Sequence, residues 1–181
     1  MKTLVTAAVI CLFISPCSFA NDYQHALSIG AGIGETNVSS DKVINGDDFQ
    51  THYDLAYRYQ FTPQWGLELG YMRQDVFLTN LFSIGNQLDD VDSFRAAALY
   101  TLPLSKRNRL VFKLGANQYR LKFTDTNDND RRFTDDDMGL LAGLGWRMEF
   151  ASGMDLGLTY HFQAMNLLDT HTLTFNLGYR F

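Results

Sequence analysis

The final ten residues, 172–181, alternate strictly between apolar and polar side chains. Successive side chains of a β-strand point to opposite faces, so this spacing places one set on each face of a strand. A strand with one apolar face and one polar face is typical of a barrel wall in lipid. The apolar face carries Leu173, Phe175, Leu177, Tyr179 and Phe181, and the polar face carries Thr172, Thr174, Asn176, Gly178 and Arg180.

Seven earlier segments show the same alternation, so the sequence predicts eight strands. They are joined alternately by short turns at 62–64, 104–108 and 151–153 and by longer loops at 36–48, 76–92, 124–137 and 164–171. This pattern predicts an all-β fold, an eight-stranded antiparallel up-and-down transmembrane β-barrel. In strand five the apolar phase slips at Tyr119, which indicates a bulge or a strand that continues beyond the membrane. The predicted strands are 25–34, 49–61, 65–75, 93–102, 110–122, 138–150, 154–162 and 172–181.

The amino terminus has the features of a secretory signal. Lys2 precedes an apolar run, and Ser18 to Ala20 supply small residues for cleavage, so we expect a signal peptide at 1–20 and a barrel domain at 21–181. Both cysteines, Cys11 and Cys17, would leave with the signal, which excludes thiol chemistry in the barrel. Lys2 is the one charge in 1–20, so the remainder has 20 acidic residues and a net charge of about −6, which argues against nucleic-acid binding.

The terminal pattern Leu177, Tyr179 and Phe181 resembles the signal that the barrel assembly machinery reads in outer-membrane β-barrels of Gram-negative bacteria. Over 21–181 the chain resembles the small OmpA/OmpX-type barrels. The resemblance implies a bacterial outer-membrane location, contact with membrane lipid and lipopolysaccharide, and both termini in the periplasm. A soluble lipocalin-like barrel is the alternative, but it would have an apolar interior, whereas the inward phase here carries many charges.

The inward phase predicts an interior salt-bridge network. Folding strands two and three about Pro63 brings Arg58 opposite Glu68, and folding strands six and seven about Ser152 brings Glu149 opposite Asp155. Two facing carboxylates need a cation, which Arg147 or Arg180 can supply. Because eight strands leave an interior that is filled by side chains, a wide pore is excluded. The predicted network comprises Arg58, Glu68, Arg147, Glu149, Asp155 and Arg180.

Two enzymatic alternatives are open. Paired carboxylates can serve general acid–base chemistry, and some barrels of this kind resemble the chain and modify lipid A. His161 would be the candidate base, but a deacylase-like site needs a serine shortly after it, and residues 160–166 contain none. We therefore expect a non-enzymatic protein without a cofactor, and a narrow pore for small solutes is a further alternative.

The loops carry two further candidates. Asp125, Asn127, Asn129 and Asp136 are spaced as in a calcium loop, but Asp130 stands where the turning glycine belongs. An apolar set on the loop after strand three is typical of a contact site for lipopolysaccharide, a host protein or an envelope protein. We therefore expect surface loops that mediate adhesion or partner binding, or a role in envelope integrity. The apolar set is Phe77, Leu78, Leu81 and Phe82.

Overall fold

The chain forms a closed barrel of eight strands, seen in a computed structural model that describes residues 24–38, 48–75, 86–125, 131–166 and 168–181. Each strand pairs antiparallel with the next, and β1 pairs with β8 to close the barrel. The predicted eight-stranded up-and-down architecture is confirmed. Within the described residues no helix is long and apolar enough to cross a bilayer. The strands are β1 His25–Val38, β2 Asp48–Gln60, β3 Trp65–Asp75, β4 Asn86–Pro103, β5 Asn108–Asp125, β6 Arg131–Glu149, β7 Met154–Ala164 and β8 Leu168–Arg180.

The outer wall is apolar and the interior is polar, as the alternation predicts. Ile29, Leu69 and Leu114 face outward and are 61%, 58% and 70% exposed, whereas Glu68 and Asp155 face inward and are buried. Exposed apolar area on this scale belongs in lipid. The lipocalin-like alternative, which needs the apolar set inside, is therefore wrong.

Aromatic side chains form a belt at each end of the apolar wall. At the end with the short turns, Trp65 and Phe112 flank Tyr100 at ring-centroid distances of 5.0 and 6.4 Å. At the opposite end, the rings of Tyr71 and Phe94 lie 4.9 Å apart. Belts of this kind mark the two interfaces of a membrane, so the apolar wall between them is the membrane-spanning band.

All four predicted loops are partly strand. β1 continues to Val38 and β8 begins at Leu168, so the loops predicted at 36–48 and 164–171 were too long. β4 begins at Asn86 and β6 at Arg131, so the loops predicted at 76–92 and 124–137 were too long. Charged residues such as Asp92 and Asp136 interrupt the apolar alternation there, so the sequence pattern predicts a loop. Outside lipid a strand can be polar on both faces, so the end of the alternation marks the end of the apolar band and not the end of the strand.

The phase slip in strand five is not a bulge in that strand. β5 pairs with β6 without interruption from Asn108 opposite Met148 to Asp125 opposite Arg131. The register shift lies in β4 instead, between Leu88 and Asp90. β5 simply continues, and the apolar Tyr119 points into the barrel, where it is 1% exposed.

The turn between β6 and β7 requires a left-handed residue. Gly153 has a φ of +88°. Its N–H donates to the carbonyl of Phe150 (3.2 Å), and its own carbonyl accepts from the N–H of Arg180 (2.8 Å). The turn therefore also holds the end of β8, and any side chain at this position would carry the cost of the left-handed conformation.

We expect Gly153→Ala to lower the free energy of unfolding by about 1–2 kcal/mol, the usual cost of a left-handed non-glycine residue. Urea unfolding of the barrel refolded in lipid vesicles measures the change. Ser152→Ala, in the same turn without positive φ, is the control and should unfold as the wild type does. An equal loss in both variants would show that the turn, and not the conformation of Gly153, limits stability.

Candidate functional site

A charged cluster crosses the middle of the lumen. Arg95 on β4 donates from Nη2 to both carboxylate oxygens of Asp54 on β2 (2.9 Å each) and from Nε to Glu68 on β3 (3.0 Å). Lys113 on β5 donates from Nζ to both oxygens of Glu68, at 2.9 and 2.8 Å. Two carboxylates and two cations thus neutralise one another in a desolvated layer, which a buried ionic cluster requires.

Gly70 makes room for this cluster. It lies on β3 opposite Arg95, and a Cβ atom there would stand 2.5 Å from Arg95 Cζ. Such an approach is shorter than any real contact, so a side chain at position 70 would displace the guanidinium from Asp54 and Glu68. The geometry of the cluster therefore requires glycine at position 70.

The second ion pair corrects a sequence expectation. Arg58 and Glu68 are cross-strand neighbours, as predicted. They do not form the expected ion pair, because Glu68 is held by Arg95 and Lys113 and Arg58 donates from Nη2 to Asp155 on β7 at 2.7 Å. The arginine is long enough to reach across the lumen, and among the described residues no other cation lies as close to Asp155.

A third group lies at the end of the barrel with the short turns. Glu149 lies opposite Asp155, as the sequence indicated. Its carboxylate oxygens are 3.3 Å from Arg147 and 3.4 Å from Arg180, the two cations expected there. Sequence reasoning missed Arg109, which is also 3.3 Å from Glu149. Arg109 precedes the outward-facing Leu110 and therefore faces inward, but the predicted strand began at residue 110 and left Arg109 out.

Neutral polar side chains fill the lumen on the loop side of the central cluster. His52 and Thr174 lie within 2.8 Å across it, and Asn117 donates from Nδ2 to Gln163 Oε1 at 2.6 Å. On the other side, a cavity of about 30 Å³ separates the central cluster from the Arg58–Asp155 pair. That volume holds about two water molecules. With Asp54, Glu68 and Arg95 of the central cluster buried, side chains fill the middle of the described lumen.

The enzymatic candidates are enclosed in this network. His161 is fully buried in the lumen, and its Nε2 lies 3.3 Å from Lys113 Nζ, so it does not face the lipid wall. The facing carboxylates Glu149 and Asp155 are each in contact with arginine. Glu149 and Asp155 therefore have ionic partners, and His161 contacts Lys113 inside the lumen.

The structure does not bring the two aspartates of the calcium-like spacing, Asp125 and Asp136, together. Arg131–Glu149 is strand, with Asp125 opposite Arg131 and Arg120 opposite Asp136, so Asp125 and Asp136 stand roughly 17 Å apart at about 3.4 Å per residue. One cation cannot bind both. Asp136 instead accepts from Arg120 Nε at 2.8 Å. Asn127 and Asn129, and the apolar set Phe77, Leu78, Leu81 and Phe82, lie outside the described residues.

Comparison with known proteins gives a family and a set of structural relatives. A family model described as outer membrane protein beta-barrel domain matches residues 4–181. No curated protein matches the sequence. Solved structures share the fold at low identity.

Three of these structures illustrate the likeness. Neisserial surface protein A has a TM-score of 0.71 and 12% identity, covering 87% of this chain and 97% of its own. Ail, the attachment invasion locus protein of Yersinia pestis, has a TM-score of 0.59 and 19% identity, covering 87% and 99%. The N-terminal β-barrel domain of Pseudomonas aeruginosa OprF has a TM-score of 0.57 and 13% identity, covering 86% and 97%.

The two carboxylates near Arg58 give a test by double-mutant cycles. Replacing Arg58, Asp155 or Glu68 singly by Ala should each cost about 3–5 kcal/mol, because each change leaves a buried charge without its partner. The Arg58→Ala and Asp155→Ala costs should be non-additive by about 1 kcal/mol or more, since these residues are in contact. The Arg58→Ala and Glu68→Ala pair is the control and should show the smaller coupling.

Urea unfolding titrations of the five variants in one lipid measure both couplings. A larger coupling between Arg58 and Glu68 than between Arg58 and Asp155 would contradict the ion pairs described above.

Proposed function

The chain belongs to the outer membrane protein β-barrel domain family, and on that premise we propose that it is a non-enzymatic protein that binds a partner at the cell surface. The observation that carries this proposal is a sheet that projects beyond the apolar band. β4, β5 and β6 have 18, 18 and 19 residues, whereas β3 and β7 have 11 each. The three long strands are consecutive, so their extra length forms one continuous sheet.

The projecting sheet starts where the apolar wall stops. Among the side chains whose exposure is described, the last large apolar ones exposed on β5 and β6 are Leu114 and Met138. Beyond them, segments 119–125 and 131–137 are paired throughout and extend roughly 24 Å at about 3.4 Å per residue. β5 and β6, with 18 and 19 residues, are thus longer than the roughly 9–11 residues that a strand needs to cross lipid.

The residues on this sheet are those of a surface in water. Arg120 and Asp136 stand on the outward face and are joined by an exposed ion pair of 2.8 Å. The hydrogen bond from Arg120 lowers the pKa of Asp136, so the pair stays charged at neutral pH. Charged side chains on the outward phase are costly in lipid, so this part of the barrel wall lies outside it.

The closed lumen supports a surface role over the two alternatives. An enzyme acting on lipid A needs its reactive groups on the wall or at its rim, and His161 is enclosed in the lumen. A narrow pore needs a continuous path through the lumen, and the ion-paired layer of Asp54, Glu68, Arg95 and Lys113 lies in that path. We take the long-loop end to be the cell surface and the end with the short turns and both termini to be the periplasm, following the usual pattern of these barrels.

The chemistry of the partner is restricted by charge. One structure of Ail is described in complex with the heparin analogue sucrose octasulfate. The present chain has 20 acidic against 15 basic residues. The projecting parts of the three strands, 86–92, 119–125 and 131–137, together carry seven aspartates against four basic residues. We therefore do not extend polyanion binding to this surface. The proposed partner is a protein or the uncharged sugar chains of lipopolysaccharide, and not its phosphate groups.

Shortening the β5–β6 hairpin should abolish surface binding and leave the barrel intact. Replacing residues 122–134 by Asn-Gly joins Leu121 to Asp135, which are already paired, through a two-residue turn. Proteoliposomes carrying the barrel are assayed for binding to immobilised lipopolysaccharide and to cultured epithelial cells. We expect binding to be lost, with unchanged heat-modifiable mobility on gels.

The matched control places the same Asn-Gly pair at Lys106 and Arg107, in a turn at the opposite end of the barrel. A second variant replaces Phe77, Leu78, Leu81 and Phe82 by Ser. Binding lost in this variant but kept after hairpin shortening would move the contact site to residues 76–85. Binding kept in both variants, or none by the wild type, would contradict a surface role for this end.

Phe181 is proposed as the assembly signal, together with Leu177 and Tyr179. Phe181 is 47% exposed on the outer wall. Its backbone exchanges two hydrogen bonds with His25 (2.8 and 3.1 Å), and its ring stacks on His25 at a centroid distance of 5.9 Å. Deleting the residue would therefore also open the β1–β8 seam, so a side-chain substitution tests the signal more cleanly.

Phe181→Ala should reduce the amount of barrel in the outer membrane of cells and increase protease-sensitive periplasmic material. It should refold in detergent as well as the wild type, because its backbone hydrogen bonds remain. Phe112→Ala removes an equally exposed aromatic from the same belt and is the control. Equal losses in both variants would show that the belt, and not the terminal residue, matters for assembly.

A further inference from the structure

The mouth of the barrel at the end with the short turns holds a cavity of about 320 Å³. It is separate from the projecting sheet and from the central cluster. Its charged lining consists of Arg58, Arg109, Arg147 and Arg180, with Glu149 as its only acid among the described residues. Asp155 lies just behind it, in contact with Arg58.

The charges in this mouth do not balance. Four guanidinium groups face two carboxylates, whereas the central cluster has two of each. An excess of buried positive charge is costly unless a counter-charge is present. The mouth is therefore arranged as a site for an anion.

The contact distances indicate that the carboxylate of Glu149 is shared loosely among the arginines of the mouth. In the central cluster, Arg95 lies 2.9 Å from Asp54, a normal charge-assisted hydrogen bond. At the mouth, Glu149 is shared by three arginines at 3.3, 3.3 and 3.4 Å. Arg109 and Arg180 also donate to the backbone carbonyls of Ser105 (2.6 Å) and Phe150 (2.8 Å). The guanidinium groups to consider for a ligand are therefore those of Arg58 and Arg147.

Two buried N–H groups carry the same indication. Arg147 Nε lies 3.3 Å from Glu149 but makes no hydrogen bond, although its side chain is only 8% exposed. Arg58 Nε likewise donates to no acceptor among the described residues. Buried donors of this kind usually have a partner. Arg95 Nη1 in the central cluster also makes no hydrogen bond with the described residues, so the excess of arginine over carboxylate, more than these two N–H groups, distinguishes the mouth.

We propose that this mouth binds a phosphate group. A phosphate presents several strong acceptor oxygens and up to two negative charges, which match the charge excess and the planar forks of the arginines. The cavity is larger than one phosphate ion, so the group can be a free ion or the end of a phosphate ester. The proposal is independent of the surface function proposed above.

Calorimetric titration of the refolded barrel, in a detergent without phosphate and at constant ionic strength in chloride, tests the site. Inorganic phosphate and glycerol 3-phosphate are titrated separately. We expect saturable binding of at least one of them. Arg147→Gln should weaken it about tenfold or more, since one charged hydrogen-bonding group is lost. Arg107→Gln removes an exposed arginine from the adjacent turn and should leave binding unchanged.

Glu149→Gln should change the affinity for phosphate in the opposite direction. It removes the acid that competes for the three arginines, so phosphate should bind about tenfold more tightly. Preference for inorganic phosphate would identify a free ion, and equal or tighter binding of glycerol 3-phosphate would identify an ester. Either supports the site. No saturable binding at millimolar phosphate, equal losses in the Arg147 and Arg107 variants, or weaker binding by the Glu149 variant would overturn it.

Discussion

The pairing of β1 with β8 is the constraint on which the rest of the barrel depends. In the hydrocarbon core no water can satisfy a backbone N–H or C=O, so every strand needs a partner on both sides. β1 meets β8 from Ala26 opposite Arg180 to Val38 opposite Leu168, along nearly its full length. Without this seam two strand edges would face lipid. Closure also sets the inside and the outside for every other strand, because adjacent strands must keep their apolar faces on the same side.

Closure has a second consequence, which concerns charge. Because the apolar face of each strand contacts lipid, charged residues within the membrane-spanning band have no place except the lumen, and each needs a counter-ion there. Arg58 reaches Asp155, 97 residues away along the chain, although Glu68 is its cross-strand neighbour. The ion pairs thus cross the lumen as well as linking neighbouring strands. They tie distant parts of the wall together, and their geometry depends on the whole barrel having closed.

The difference between contacts of neighbouring strands and contacts across the lumen explains what could be predicted from the sequence. Phase and register follow from local features: the alternation gives the faces, and the short turns near Pro63 and Ser152 place Arg58 opposite Glu68 and Glu149 opposite Asp155. The identity of the ion partners does not follow, because it depends on which side chains meet across the lumen. The extra length of β4 and β6 was also missed, since the alternation that reveals a strand ends where the lipid ends. Of the arginines around Glu149, Arg147 and Arg180 were predicted from the sequence and Arg109 was not.

The central layer of Asp54, Glu68, Arg95 and Lys113 lies between the two ends of the barrel. It is neutral and closely bonded, so we expect that a solute moving from the arginine-lined mouth to the projecting sheet would have to break several buried ion pairs. A ligand at one end can influence the other end only through the wall. That wall is a continuous ladder of backbone hydrogen bonds, which transmits little movement unless strands slide in register, and sliding by one residue would turn apolar side chains inward. The two proposed sites are therefore expected to act independently, and a loss of phosphate binding should leave surface binding as it was.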